Sequence, residues 1–262
     1  MTAPEYDQAQ PLVHHLVELR ARFIRVLLAF FIASILSYCV SNHIFQILLH
    51  PLHKVFAELG LDRKLIYTGL TEAFLTYVKI AMFTGAFLTF PYFAIQIWLF
   101  ISPGLFKHEQ KTLRLMLIAT PLFFCIGAAF AYFVIFPNAY RFFLSFESLG
   151  GQGAMPIQLE PRVSEYLSFV MRLIMAFGIS FQLPVLLTVL AGIGVVNKKA
   201  LIEKWRISVV SIFAVAAVIT PPDILSMVGL AAPLVLLYGL SILAVSKVEK
   251  TRKKKETQSC LT

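Results

Sequence analysis

Three carboxylates lie close to apolar segments in a strongly basic chain: Glu18 in "HHLVELRAR", Glu109 in "LFKHEQK", and Glu203. A carboxylate is the natural bidentate partner of a guanidinium, whose planar fork of donors matches its two oxygens. Two such groups on one face would read a ligand that presents paired arginines. Ion pairs with Arg22, Lys107 or Lys111 account for the same carboxylates without any ligand and are worth little at a surface, so spacing alone leaves both readings open.

Gln182, in "FGISFQLPV", falls within a long apolar stretch. A primary amide in hydrocarbon needs a hydrogen-bonding partner on another helix, which is either internal or an incoming one. Lys79 and Arg172 sit near the ends of apolar segments, where long side chains snorkel to the headgroups, Arg172 lying deeper. His43, His50 and His53 have a spacing that could converge on zinc, and equally reads as interfacial histidines on a polar face. The chain has no G-x-S-x-G, H-E-x-x-H, P-loop or G-x-G-x-x-G pattern, and its apolar segments lack the Ser and His pair of an intramembrane protease. The expectation is a non-enzyme with no cofactor, no metal and no nucleic-acid partner.

The elements that must position these residues follow from composition. The chain is 58% hydrophobic and 14% charged, and its mean hydropathy of +0.79 lies outside the soluble range. Apolar segments near the roughly 20 residues needed to cross a bilayer predict spans at 23–40, 80–101, 115–136, 166–193 and 224–245, with a shorter one at 207–219. The polar leader before the first, with Glu5 and Asp7, marks it as a retained span and not a secretory h-region. Period-2 alternation is absent, so the expected fold is an all-α integral membrane domain over 1–245 with a basic tail at 246–262.

Of the 23 Lys and Arg, most fall on one set of alternating connections, including Arg20, Arg22, Arg25, Lys107, Lys111 and the run of bases in the tail. Lys54, Arg63, Lys64, Arg141 and Arg162 fall on the other. The positive-inside rule then predicts six spans with both termini cytoplasmic. "TPPD", with Pro221, Pro222 and Asp223, becomes a tight external turn in which Asp223 caps the last span. The fifth span, about 13 residues at about 1.5 Å each, covers about 20 Å of a core about 30 Å thick, so it is expected to thin the bilayer. The first external connection, "NHIFQILLHPLHKVFAEL", repeats Ile44, Leu48, Leu52 and Phe56 every four residues and predicts an interfacial amphipathic helix capped by Asn42 and kinked at Pro51. Pro91, Pro121, Pro184 and Pro233 within spans predict bent helices and a curved, cupped bundle.

The segments "HLVELRAR", "QIWLFISPGLFKHEQK", "GAAFAYFVIFPNAYRFF", "EYLSFVMRLIMAFGISFQLPV" and "VITPPDIL" together give the chain a resemblance to the TatC family, multispanning receptors of the twin-arginine protein translocase, from about Pro11 to Val245. The resemblance implies a cup-shaped six-helix receptor in the bacterial cytoplasmic membrane. Such a receptor binds twin-arginine signal peptides of folded proteins, recruits single-span TatA and TatB partners, forms homo-oligomers within the complex, and works with the proton-motive force. Carried over by motif, the signal-peptide site comprises Glu109, Glu18, Leu19, Arg20, Phe100 and Pro103. Pro51, Pro221, Pro222 and Asp223 match structural or assembly positions. Two departures stand out: Gln182 where many members have glutamate, and Met227 where glutamine commonly follows the TPPD turn. No ionisable carboxylate acts at Gln182, so its expected role is a hydrogen bond to a partner helix, with Thr220 as the second candidate for that role.

From residues alone a secondary transporter is the alternative, with Gln182, Arg172 and Lys79 lining a polar path. The absence of an inverted repeat and of an intramembrane acid stands against it.

Overall fold

The computed structural model describes residues 12–60, 63–105, 110–148, 155, 158–192, 194–220 and 224–259. Its elements are α1 (Leu12–Cys39), α2 (Ser41–Glu58), α3 (Glu72–Leu105), α4 (Gln110–Phe130), a π-helical turn (Ala131–Ile135), α5 (Phe136–Leu144), α6 (Val163–Ser180), α7 (Leu183–Gly192), α8 (Lys198–Glu203), α9 (Trp205–Ile219) and α10 (Ile224–Ser259). Among the described residues the only extended pairing is one isolated bridge, Ile66 with Arg162. The all-helical membrane fold expected from composition is present.

Among the described residues four stretches are long and apolar enough to cross a bilayer: Glu72–Phe100, Met116–Leu144, Val163–Gly192 and Ser226–Lys250. The α1/α2 pair, bent by 80°, passes the same test when taken as one span, and α9 is a shorter apolar helix. Half of the α6/α7 span is buried, against 28% for α3 and for α4/α5, and α3, α4, α9 and α10 all pack on it. Leu167, Val170 and Phe177 of α6 are fully buried, as are Phe124 of α4 and Leu230 of α10.

Close helix approach depends on glycine at two crossings. A Cβ on Gly127 would lie 2.5 Å from the Phe177 carbonyl oxygen, and one on Gly178 would lie 2.6 Å from the Phe124 ring, so α4 and α6 meet backbone to backbone there. On the other side of the bundle a Cβ on Gly85 of α3 would lie 2.9 Å from the Ser34 backbone of α1. Small residues at such points let membrane helices gain dispersion contacts that apolar burial does not supply in lipid.

Two expectations change. Asn42 does not cap α2: the chain turns at Val40, whose carbonyl accepts from His43 N at 3.0 Å and Ile44 N at 3.2 Å, and no side chain caps the helix. The break between α1 and α2 is a single residue wide, which puts Asn42 inside the helix. The apolar face of α2 packs on protein, with Leu48, Leu52, Val55 and Phe56 all in the buried core, because α3 and α5 lie against it. The span expected at 166–193 is present as Val163–Gly192, with a break at Phe181 and Gln182 that divides it into α6 and α7. Pro184 has no N–H for the Ser180 carbonyl and disfavours helical geometry at Leu183, which locates the break.

At the end of the bundle carrying residues 59–71 and 145–162, the two connections are stitched together. Arg63 pairs with Glu147, one contact being Nη2 to Oε2 at 2.8 Å. Glu147 also accepts from Leu159 N at 2.7 Å. The carboxylate of Glu72 accepts from Thr68 N at 2.8 Å, Gly69 N at 3.1 Å and, across the gap, Ser164 N at 3.3 Å in the first turn of α6. One carboxylate thereby closes the turn leading into α3 and caps the first turn of α6.

Candidate functional site

Two features of the opposite half of the molecule carry the candidate residues: the antiparallel junction of α1 with α3, and a groove beside the α6/α7 break.

At the junction, Glu18 Oε1 accepts from Arg22 Nε at 3.0 Å and from Arg22 Nη2 at 2.7 Å. Arg22 Nη1 in turn donates to Gln96 Oε1 of α3 at 2.9 Å. Glu18 and Arg22 are one helical turn apart on α1, which brings them onto one face. Their side chains keep only 27% and 17% of their accessible surface, so solvent screens this pair less than a fully exposed one. The contacts Ser34 with Gly85 and Arg22 with Gln96 fix the antiparallel register, in which Glu18 lies level with Phe100. Leu19 is 43% exposed and Arg20 is exposed. Phe100 is partly buried and Pro103 lies in the last turn of α3. Glu18, Leu19, Arg20, Phe100 and Pro103 are thus carried to one end of one helix pair. Glu109 lies outside the described residues, as do Pro221, Pro222 and Asp223.

Gln96 belongs to this arrangement and sequence reasoning did not single it out. It is the one strongly polar residue in "FAIQIWLF", and that isolation is the signal that could have found it.

The groove, of about 710 Å³, is open and is walled by α3, α6/α7, α9 and α10. Its surface is apolar, formed by residues such as Phe90, Trp98, Leu186 and Ile212, with Gln182 in its wall and Lys204 at its rim. Gln182 Nε2 donates to the Thr120 carbonyl of α4 at 2.9 Å, while its Oε1 is buried and accepts from no group among the described residues. The amide therefore has an internal partner for one half only. Trp98 Nε1 donates to Thr120 Oγ1 at 3.0 Å, and that hydroxyl donates to Met116 O at 2.8 Å, so Thr120 joins α3, α4 and α7 beneath the groove. Thr220 is 5% exposed and its hydroxyl donates within its own helix, to Ala216 O at 2.8 Å.

Lys79 and Arg172 are exposed and neither lines the groove. The polar path with Gln182 that a transporter reading requires is not assembled. His43, His50 and His53 are exposed, and no group of three or more His, Cys, Asp or Glu among the described residues could hold a metal ion.

Pro51 is buried, and its effect is local. A proline at this position leaves the Ile47 carbonyl without its helical donor, and the Tyr132 hydroxyl donates to that oxygen at 2.6 Å. Tyr166 similarly donates to Leu48 O at 2.8 Å, which fastens α2 to both the π turn and α6.

Comparison with known proteins agrees with this architecture. A family profile described as "Sec-independent protein translocase protein (TatC)" matches residues 14–233. The chain is 44% identical to a Sec-independent protein translocase protein TatC of Rickettsia prowazekii (strain Madrid E), covering 91% of this chain and 93% of that protein. Against the corresponding protein of Escherichia coli (strain K12) it is 34% identical, covering 90% and 88%. A crystal structure described as the twin arginine translocase receptor TatC superposes with a TM-score of 0.74 at 34% identity, covering 89% of this chain and 99% of that one. A profile match spanning most of the chain, high coverage on both sides and a shared fold lead to one conclusion: this chain belongs to the TatC family of Sec-independent protein translocase proteins.

Proposed function

We propose that the chain is the receptor subunit of a twin-arginine translocase, reading paired arginines in the signal peptides of folded proteins at the cytoplasmic face of a bacterial cytoplasmic membrane. Both termini are then cytoplasmic. TatA and TatB are its single-span partners, it oligomerises with copies of itself in the complex, and the proton-motive force drives passage. Glu109 and Glu18 take the guanidinium groups, with Leu19, Arg20, Phe100 and Pro103 around them. The signal's apolar segment and a partner helix use the groove, with Gln182 in its wall as the polar group that hydrogen-bonds the partner helix.

The observation that carries this reading is the Glu18 carboxylate, held by the Nε and Nη2 donors of Arg22 while Gln96 anchors the same guanidinium. It is a guanidinium-binding geometry already formed within the chain, at the helix end where the motif residues gather. An incoming arginine exchanges with or extends it; lysine, with no planar fork, does neither as well.

The test is binding of a paired-arginine signal peptide and of its paired-lysine counterpart to the protein in nanodiscs, for wild type, Glu109→Gln and Glu18→Gln. Several-fold tighter binding of the arginine peptide, with most of the margin lost in Glu109→Gln and part of it in Glu18→Gln, supports the reading. Equal binding of the two peptides to wild type overturns the carboxylate site.

A further inference from the structure

We propose that the crevice between α2 and α5 is a binding site for the phosphate of an anionic phospholipid, with the acyl chains lying down the outer face of α4. The site is distinct from both features described above and does not rest on the proposed receptor function.

The crevice has a volume of about 210 Å³ and is lined by His50, Lys54 and Glu58 of α2, Phe133 of the π turn, and Asn138 and Arg141 of α5, among others. That volume suits a phosphate diester headgroup. His50 and Lys54 are one turn apart and face it together. Lys54 makes no hydrogen bond or ion pair among the described residues. Arg141, its side chain 51% exposed, meets Glu58 through Nη2 alone, which leaves Nε and Nη1 as donors. Asn138 Nδ2 is committed to Val134 O at 2.8 Å. With one acid and two permanent cations, the crevice keeps a net positive charge and unspent donors.

Its depth fits a headgroup. Met116–Leu144 runs for 29 residues, about 43 Å at about 1.5 Å each, against a hydrocarbon core of about 30 Å. Arg141, near its end, therefore emerges at the headgroup layer, and its ion pair with Glu58 holds the end of α2 beside it. Below the crevice an apolar strip continues on the same element: Phe133 is 72% exposed, Ile126 46%, Leu122 55% and Ile118 67%. These residues recur every four or seven positions and so share one side of the helix. A cationic crevice at headgroup depth above an uncovered apolar strip matches an amphiphile with a negative head.

The experiment is native mass spectrometry of the full chain released from detergent after equilibration with phosphatidylglycerol, with phosphatidylcholine, or with inorganic phosphate alone. It compares wild type with Lys54→Gln and with Lys199→Gln, a control at the other end of the bundle. Lys54 has no partner among the described residues, so its substitution should leave the fold intact, which circular dichroism checks. The expected result is a phosphatidylglycerol adduct that phosphatidylcholine does not match, about fivefold weaker in Lys54→Gln and unchanged in Lys199→Gln. Equal retention of the two lipids, an unchanged adduct in Lys54→Gln, or an equal loss in Lys199→Gln would overturn the site. Binding of inorganic phosphate as tight as that of phosphatidylglycerol would overturn the lipid as its occupant.

Discussion

The hydroxyl of Tyr132 donates to the carbonyl of Ile47, the one acceptor that Pro51 leaves without a helical N–H. The tyrosine stands in the π turn, where Phe136 N bonds Ala131 O five residues back just ahead of Pro137. One proline creates the need, and the segment beside another carries the group that meets it.

This pairing predicts non-additivity. Tyr132→Phe should destabilise the protein by about 0.5–1.5 kcal/mol, the net worth of an ordinary hydrogen bond. In a Pro51→Ala background the helix supplies its own donor to Ile47, and the cost of Tyr132→Phe should fall toward zero. A double-mutant cycle on reversible unfolding in detergent measures the coupling; equal costs in both backgrounds would refute the link.

Glu147 gives the clasp at the loop end an acid limit. The hydrogen bond from Arg63 is the largest influence on its carboxyl and holds it below the ordinary carboxylate range, against the opposing effect of burial and with help from Leu159 N–H. A folded-state value below the unfolded one means stability that is complete above the ordinary value and lost as pH falls through the lowered folded value. Limited proteolysis of the 145–162 segment should therefore accelerate below about pH 4 in wild type. Glu147→Gln should be cleaved readily at neutral pH and show little further change on acidification.

Glycine at the α4–α6 crossing should be irreplaceable, while a glycine on an open face should not. Gly127→Ala forces a Cβ to 2.5 Å from the Phe177 carbonyl and 2.8 Å from the Phe181 ring. Overpacking of about 1–3 kcal/mol then exceeds the gain of up to about 1 kcal/mol from replacing a helical glycine. Gly239→Ala meets nothing within 4 Å and should keep that gain. Opposite signs in thermal stability confirm the account; two losses of similar size would sink it.

Gln182→Leu tests the amide's use. The substitution removes the bond to Thr120 but also the buried, unmatched Oε1, so thermal stability should change by less than about 1 kcal/mol. If the groove accepts a partner helix through the Gln182 amide, cross-linking from Leu186 to TatA or TatB should drop several-fold. An unchanged cross-link yield would remove Gln182 from the partner contact.

Helix α9 has 15 residues, about 22 Å at about 1.5 Å each, against a core of about 30 Å. A nitroxide at Val218, 86% exposed, should report a bilayer thinner than one far from the protein. Normal thickness there would mean that neighbouring chains cover the short helix.

Membrane insertion, helical class and the order of apolar segments were legible in the sequence. They depend on composition and local periodicity, which any window of the chain carries by itself. The prolines also announced bends, since the missing N–H is a property of one residue. The partners of the freed groups were not legible: Tyr132 reaches Ile47 across 85 positions and Gln96 reaches Arg22 across 74. The α2 helix read as interfacial because its apolar stripe looks the same whether lipid or protein covers it. Asn42 read as a cap because the single-residue turn at Val40 leaves no pattern in residue type. The candidate carboxylate Glu18 and the amide Gln182 stood out as polar groups beside or within apolar runs. Only the packing of α1 on α3 and the break at α6/α7 decided what each one touches, because a hydrogen bond between helices is set by their register and crossing, which no single segment encodes.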